Sequence, residues 1–145
     1  MSVVHHLDAN VILRFLLADH PQQSPKAREL FELAQAGKVT LWISDVCLAE
    51  VTWVLHSHYA FERSKLAQTL RDLVLHDGVN VENQDVLLDA YGRFGELNVD
   101  FIDCYTAALA KFVGCPVITE DRDFRKFSDV TAQRPAEVIE HFDRS

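Results

Sequence analysis

Short β-branched runs alternate with longer stretches of helical periodicity along this chain, and that alternation restricts its fold more than any other feature. Val3–Leu7, Val39–Ile43, Val79–Val81 and Pro116–Thr119 read as strands, with Val130–Thr131 as a last, shorter one. Asn10–Ala18, Gln22–Ala36, Asp45–His56, Glu62–His76, Gln84–Gly95 and Asp100–Val113 read as helices, and Ala136–Phe142 as a terminal helix. This order predicts an α/β fold, a central parallel sheet of about four to five strands flanked by helices. Gly37 and Gly78 stop two of the helices, and Ser44 is a favoured N-cap for the one that follows it.

The chain has 145 residues, a common size for one core, so a single domain over 1–145 is expected. Met1 is followed by Ser-Val-Val-His-His, without the basic and apolar segments of a leader. The apolar runs fall short of the ~20 residues a membrane span needs. Cys47, Cys104 and Cys115 are odd in number, lie in apolar segments and form no C-x-x-C pair. They are expected as reduced core thiols of a cytoplasmic protein. The net charge is −8, and the acid excess lies in the second half: seven basic and fourteen acidic residues follow Leu75, against seven and eight before. A field of that sign excludes nucleic-acid binding through overall charge; cations or a local basic patch would have to supply the attraction.

Four acids interrupt the pattern. Asp8 stands between a strand and an apolar helix, where it either caps the helix or serves a site. The helical neighbours of Glu50 are Val46, Cys47, Trp53 and Val54, all apolar. That leaves Glu50 either at the edge of a buried stripe with its head in water, or functional. Asp103 starts the nearly all-apolar helix that includes "CYTAALA", one turn after Asp100; favourable contact with the helix dipole is the alternative, stronger for Asp100. Asp121 lies in "VITEDRDF", just beyond a strand, with Asp123 two residues on. Asp8 and Asp121 thus both follow the C-terminal ends of parallel strands, the edge where α/β sheets place their sites. Carboxylates gathered there repel and call for a cation, and hard, oxygen-preferring Mg²⁺ or Mn²⁺ suits them. Ser44 and Thr119 are candidates to orient such ligands, or simply to cap and turn the chain.

"LDANVILRFLLADHPQQSPKARELF", "ISDVCLAEVTWVL" and "VDFIDCYTAALAKFVGCPVITEDRDF", in that order and spacing, resemble PIN-domain proteins. The likeness is strongest to the VapC-type toxins of type II toxin–antitoxin systems, and it runs from Val4 to about Val130. It rests on the ordered set, since no single motif is specific. The resemblance implies a PIN-like three-layer sandwich and a metal-dependent endoribonuclease using Mg²⁺ or Mn²⁺. It places the family's four acids on Asp8, Glu50, Asp103 and Asp121 as metal ligands and catalytic residues. Asn10, Ser44 and Thr119 fall on motif positions, and Asp100 and Asp123 on accessory ones. Glu120 departs from the aromatic or apolar residue common there and adds local charge. Bound divalent ions make hydroxide available near neutral pH and stabilise charge on the phosphodiester. The family implies products with 5′-phosphate and 3′-hydroxyl ends. Arg14, Arg122, Arg125 and Lys126 are the nearest cations by sequence for RNA, with a solvated surface as their alternative.

A VapB-type antitoxin and a homodimer are also implied. An Arg from the antitoxin would suit an acidic pocket. Phe31, Trp42, Trp53, Tyr59 and Phe61 are aromatic surface candidates, most of them expected in the core. Three other readings stand beside this one. A haloacid-dehalogenase-like phosphatase would use Asp8 as nucleophile, but it requires Asp where Asn10 stands and leaves Glu50 unexplained. A PIN-like module could bind RNA or a partner without cutting, or act as a standalone nuclease. Zinc binding by His5–His6 or His56 and His58 lacks ligand spacing.

Overall fold

The computed structural model describes residues 2–143. Strand β1 (Val3–His6) leads into α1 (Ala9–Leu17) and α2 (Gln23–Gln35), and β2 (Val39–Ile43) into α3 (Asp45–Ser57) and α4 (Arg63–Val74). Then come β3 (Val79–Val81), α5 (Gln84–Glu96) and α6 (Phe101–Val113). A last pair, β4 (Val117–Ile118) and β5 (Ala132–Gln133), encloses a 3₁₀ turn (Arg122–Lys126), and α7 (Pro135–Asp143) follows. The expected order of elements therefore holds.

Three parallel strands form the main sheet, in the order β1–β2–β3. Val3 pairs with Val39 at one end, and Ile43 with Val81 at the other. The central strand carries the core: Leu41 and Ile43 are fully buried against α3 residues Leu48, Val51 and Leu55. Helices α4, α5 and α6 extend that core through Leu66, Leu70, Leu87 and Phe94, with the Tyr91 ring stacked on Phe101 at 4.6 Å. Gly78 lets β3 approach α2. Its φ is +83°, and a Cβ there would lie 2.3 Å from the Ala34 carbonyl oxygen, so only glycine fits.

Two expectations need correction. The strands divide into a three-stranded sheet and a separate parallel pair, β4–β5, rather than one sheet of four to five. The last strand is also displaced to Ala132–Gln133; Thr131 only accepts from the Val117 amide, at 2.9 Å. The separation has a local cause. β4 and β5 span two residues each, and Pro116 precedes β4 without an N–H. The pair is fastened to the helices instead. Arg93 on α5, 8% exposed, makes a bidentate contact with Asp129 at 2.7 Å on both oxygens. Asp89 and Lys111 complete the network, at 3.2 and 2.8 Å. The outer edge of β1 has no ladder partner among the described residues, and Val3 and Val4 are exposed.

The thiols also need one correction. Cys47 and Cys104 are buried as expected, but Cys115 is exposed because Gly114 ends α6 and turns the chain outward. Among the aromatic candidates Phe31 is buried, stacked on Phe15, whereas Trp53 and Tyr59 are exposed. No helix among the described residues is long and apolar enough to cross a membrane.

The Arg93 network generates the first prediction. Hydrogen bonds from Arg93 and Lys111 hold the Asp129 carboxyl well below its ordinary range. The native state therefore binds fewer protons there than the unfolded chain. Its stabilising contribution is present above about pH 4 and is lost as pH falls toward the native value. Asp129→Ala is expected to lower stability at pH 7 by about 1 kcal/mol in urea unfolding, the exposed carboxylate being screened by solvent, and to flatten the acid side of the stability profile.

Candidate active site

Each acid is positioned by the junction on which it sits. Asp8 bridges β1 and α1; its Oδ1 accepts from the Ala9 amide at 2.9 Å. The capping use of this side chain is thus real, and the carboxylate is exposed rather than buried, so its cost in the apolar stretch is small. Asn10, one turn position on, is exposed as well. Ser44 caps α3 in the same way, accepting from the Cys47 amide at 3.1 Å. Glu50 is exposed, and so are its apolar neighbours Val46 and Trp53. Cys47 is buried and Val54 half-buried, so Glu50 stands at the edge of the buried stripe of α3 with its head in water. Between the two acids lies Cys47. Its Sγ–H donates to the Leu7 carbonyl at 3.7 Å, joining α3 to the end of β1. Burial, then Asp8 and Glu50, push this thiol up to about 11. The shared influence puts both carboxylates around one buried, unreactive sulfur.

The second group gathers at the start of α6. Asp103 is half-buried, and its pKa is raised by that burial and by Asp121, Asp100 and Asp123 in turn. Asp100 occupies the N-cap position of α6 without a side-chain cap bond. Across from it, Thr119 Oγ1 accepts from the Asp121 amide at 2.9 Å, and Asp121 Oδ1 accepts from the Asp123 amide at 2.9 Å. These bonds fold the segment after β4 into the 3₁₀ turn and turn its acids toward α6.

Arg63 fixes where that helix begins. Its Nε donates to the carbonyls of Phe94 and Leu97 at 3.0 and 3.1 Å, and its terminal nitrogen to Val99. The guanidinium lies 4.0 Å over the Phe94 ring. One cation thus closes the C-terminus of α5 and anchors the loop that delivers Asp100 and Asp103. Tyr105, two residues past Asp103, donates to the Asp45 carboxylate at the start of α3. This bond ties the helix of Asp103 to the helix of Glu50. Sequence reasoning missed Arg63, Tyr105 and Asp45, because each acts on a residue far away in the chain; Asp45 reads only as a first-turn acid.

The structure therefore brings Asp100, Asp103, Asp121 and Asp123 into one group and Asp8 and Glu50 into another. The donor chemistry, all carboxylate oxygen, suits a hard divalent ion. The spacing does not complete a site, for no three His, Cys, Asp or Glu side chains among the described residues are arranged to hold a metal ion. Of the candidate cations, Arg122 and Arg125 are exposed on the 3₁₀ turn. Lys126 donates to the Asn98 carbonyl at 3.0 Å and lies 3.4 Å from Asp123. Arg14 is half-buried, held by Gln23 at 2.9 Å and facing Asp19 at 3.9 Å.

In open α/β sheets sites form at the C-terminal ends of parallel strands, where Asp8 and Asp121 stand. The family model for the PIN domain matches residues 6–130, and the chain belongs to that family. PIN domains are in general metal-dependent nucleases. No curated protein matches the chain.

The acid group at α6 carries a prediction. Asp103 is destabilised in its ionised form, so its native pKa lies above the unfolded value and the penalty applies at neutral pH. Asp103→Asn is expected to raise stability at pH 7 by about 0.5 kcal/mol, the scale of a relieved like-charge contact. The gain should shrink as pH falls and the carboxyl protonates. Urea unfolding at pH 7 and pH 4 measures it.

Proposed function

We propose that this protein is a Mg²⁺- or Mn²⁺-dependent endoribonuclease, a single PIN domain acting in the cytoplasm as the toxin of a toxin–antitoxin pair. The observation that carries the nuclease reading is the group of four acids around Asp103, in a chain of the PIN family. Asp8, Glu50, Asp103 and Asp121 are the ligands and catalytic residues in this reading. Asn10, Asp100 and Asp123 add polar contacts around them. Ser44 and Thr119 hold the backbone turns that aim the acids. A divalent ion, when bound, supplies a nucleophile at neutral pH and stabilises charge on the phosphodiester. The protein's own part is to orient the acids and to leave their edge open to a strand. Asp8, Asp100 and Asp121 are all exposed, which suits a polymer substrate.

The toxin role rests on the resemblance of the ordered set of stretches from Val4 to about Val130 and on exposed apolar surface. Trp53 beside Glu50, and Phe112 and Val113 at the end of α6, are exposed side chains of the kind a partner covers. A VapB-type antitoxin and a second copy of the chain are the proposed partners.

The test is direct. Purified protein is expected to cut single-stranded RNA with Mg²⁺ or Mn²⁺ and not in EDTA, and Asp8→Asn should lower the rate by at least about 100-fold with an unchanged circular dichroism spectrum. Equal cleavage by Asp8→Asn would remove that residue from the site. Mn²⁺ should also raise the Tm of the native protein through preferential binding to the folded state, and Asp103→Asn should abolish that rise. The toxin role predicts that the product of a small adjacent reading frame co-purifies with the protein and suppresses cutting.

A further inference from the structure

The 3₁₀ turn, β5 and the start of α7 enclose a polar cavity of about 250 Å³ that opens beside Asp121. Three guanidinium side chains line it: Arg122, Arg125 and Arg134. Arg134 comes from the segment after β5, outside the stretch that the family model matches. The cavity is smaller than the roughly 300–1,000 Å³ typical of small-molecule sites. It has room for a phosphate group and part of its nucleotide rather than for a cofactor.

The wall also carries an internal anion. Glu137 on α7 accepts from Arg134 Nε at 2.9 Å. Its carboxyl is held below the ordinary range by Arg134 and, further off, by Arg125. A carboxylate oxygen is therefore already received by one guanidinium of this wall, Arg134, in the role a phosphate oxygen would take. The pairing is solvent-exposed, with side chains 61% and 49% accessible. Such pairs are weak enough to exchange for a better ligand. Glu120 and Asp121 bring the charged lining to three acids against three arginines. The cavity thus does not attract anions indiscriminately, and displacement of Glu137 is what frees charge for a ligand.

We propose that this cavity is a phosphate subsite for the RNA strand, built by Arg122, Arg125 and Arg134, with Glu137 as a built-in competitor for the same guanidinium groups. It rests on the nuclease reading above and adds a definite seat for a phosphate next to the one attacked. Because Asp121 and Thr119 belong both to the cavity wall and to the turn that forms the acid group, a strand held here passes directly over those acids.

Binding without cleavage separates the two ideas. A fluorescein-labelled single-stranded RNA of about 12 nucleotides is titrated in EDTA, by fluorescence anisotropy, over a series of salt concentrations. Replacing both Arg125 and Arg134 by Ala is expected to weaken binding about 10-fold and to reduce the salt slope by about 0.7 per arginine. Glu137→Gln should tighten binding by about 2–5-fold, the worth of an exposed ion pair. Circular dichroism confirms the fold of each variant. If the unaltered protein binds RNA while these variants match it in Kd and salt slope, the subsite is overturned and the nuclease reading stands. If the unaltered protein does not bind RNA in EDTA, the subsite is overturned, and the nuclease reading is decided separately by cutting with Mg²⁺ or Mn²⁺.

Discussion

Arg93 is the one charged residue buried among the described residues, and the placement of everything after α6 depends on it. A buried guanidinium without partners would cost several kcal/mol, so its position demands acids from outside its own helix. Asp89 on the same helix supplies one and Asp129, from the loop before β5, the other. Only the second contact is long-range, and it decides where the β4–β5 pair sits. Lys111 on α6 joins the same carboxylate. The pair therefore docks on helices α5 and α6. Arg63 does the equivalent work one turn away, gathering three carbonyls at the end of α5. Between them, two arginines hold the start of α6 and the turn after β4 close enough for their acids to interact.

That closeness opposes itself electrostatically. Asp103 feels Asp121, Asp100 and Asp123, each of which raises its pKa, although its place in the first turn of a helix should favour the ionised form. Burial and like charge outweigh the dipole here. A chain selected for stability alone would have little reason to let three further acids raise the cost of ionising Asp103. Function is the natural reason for tolerating them, and the same logic explains why the capping bonds at Thr119 and Asp121 are needed: they fix a turn that repulsion would otherwise loosen.

The regular elements were legible because they rest on local signals. Helix boundaries from α1 to α7 follow periodicity, caps and glycines, and Ser44 caps the helix it was expected to cap. The four candidate acids stood out as misplaced charges. Asp8 caps α1, as one of its two readings expected, and its carboxylate sits outside while Ala9 and Ile12 turn inward. The edge position of Glu50 was legible, but which of its neighbours turn inward was not. Helical spacing shows which residues share a face but not whether that face meets the core or solvent. The shortness of β4 and β5 has a local cause, but where the pair docks was not legible. That docking involves Arg93 meeting Asp129 across 36 residues, and no periodicity encodes a contact of that range. Arg134 and Glu137 escaped notice likewise, because their relation to Asp121 arises only when β5 lies parallel to β4.

A common geometry underlies both the folding and the chemistry of these acids. In a parallel sheet every strand ends at the same edge and hands the chain to a helix or turn whose first amides point outward. Polar side chains at those junctions satisfy the amides: Asp8 at Ala9, Ser44 at Cys47, Asp121 at Asp123. The residues best suited to cap are short oxygen donors, and short oxygen donors are also what a hard cation prefers. Capping uses only one oxygen of each carboxylate, which leaves the other free at the edge. A site made from caps therefore needs no extra structural element. Its position is set by the strands, its orientation by the amide it serves, and its cost by how closely the acids are forced together.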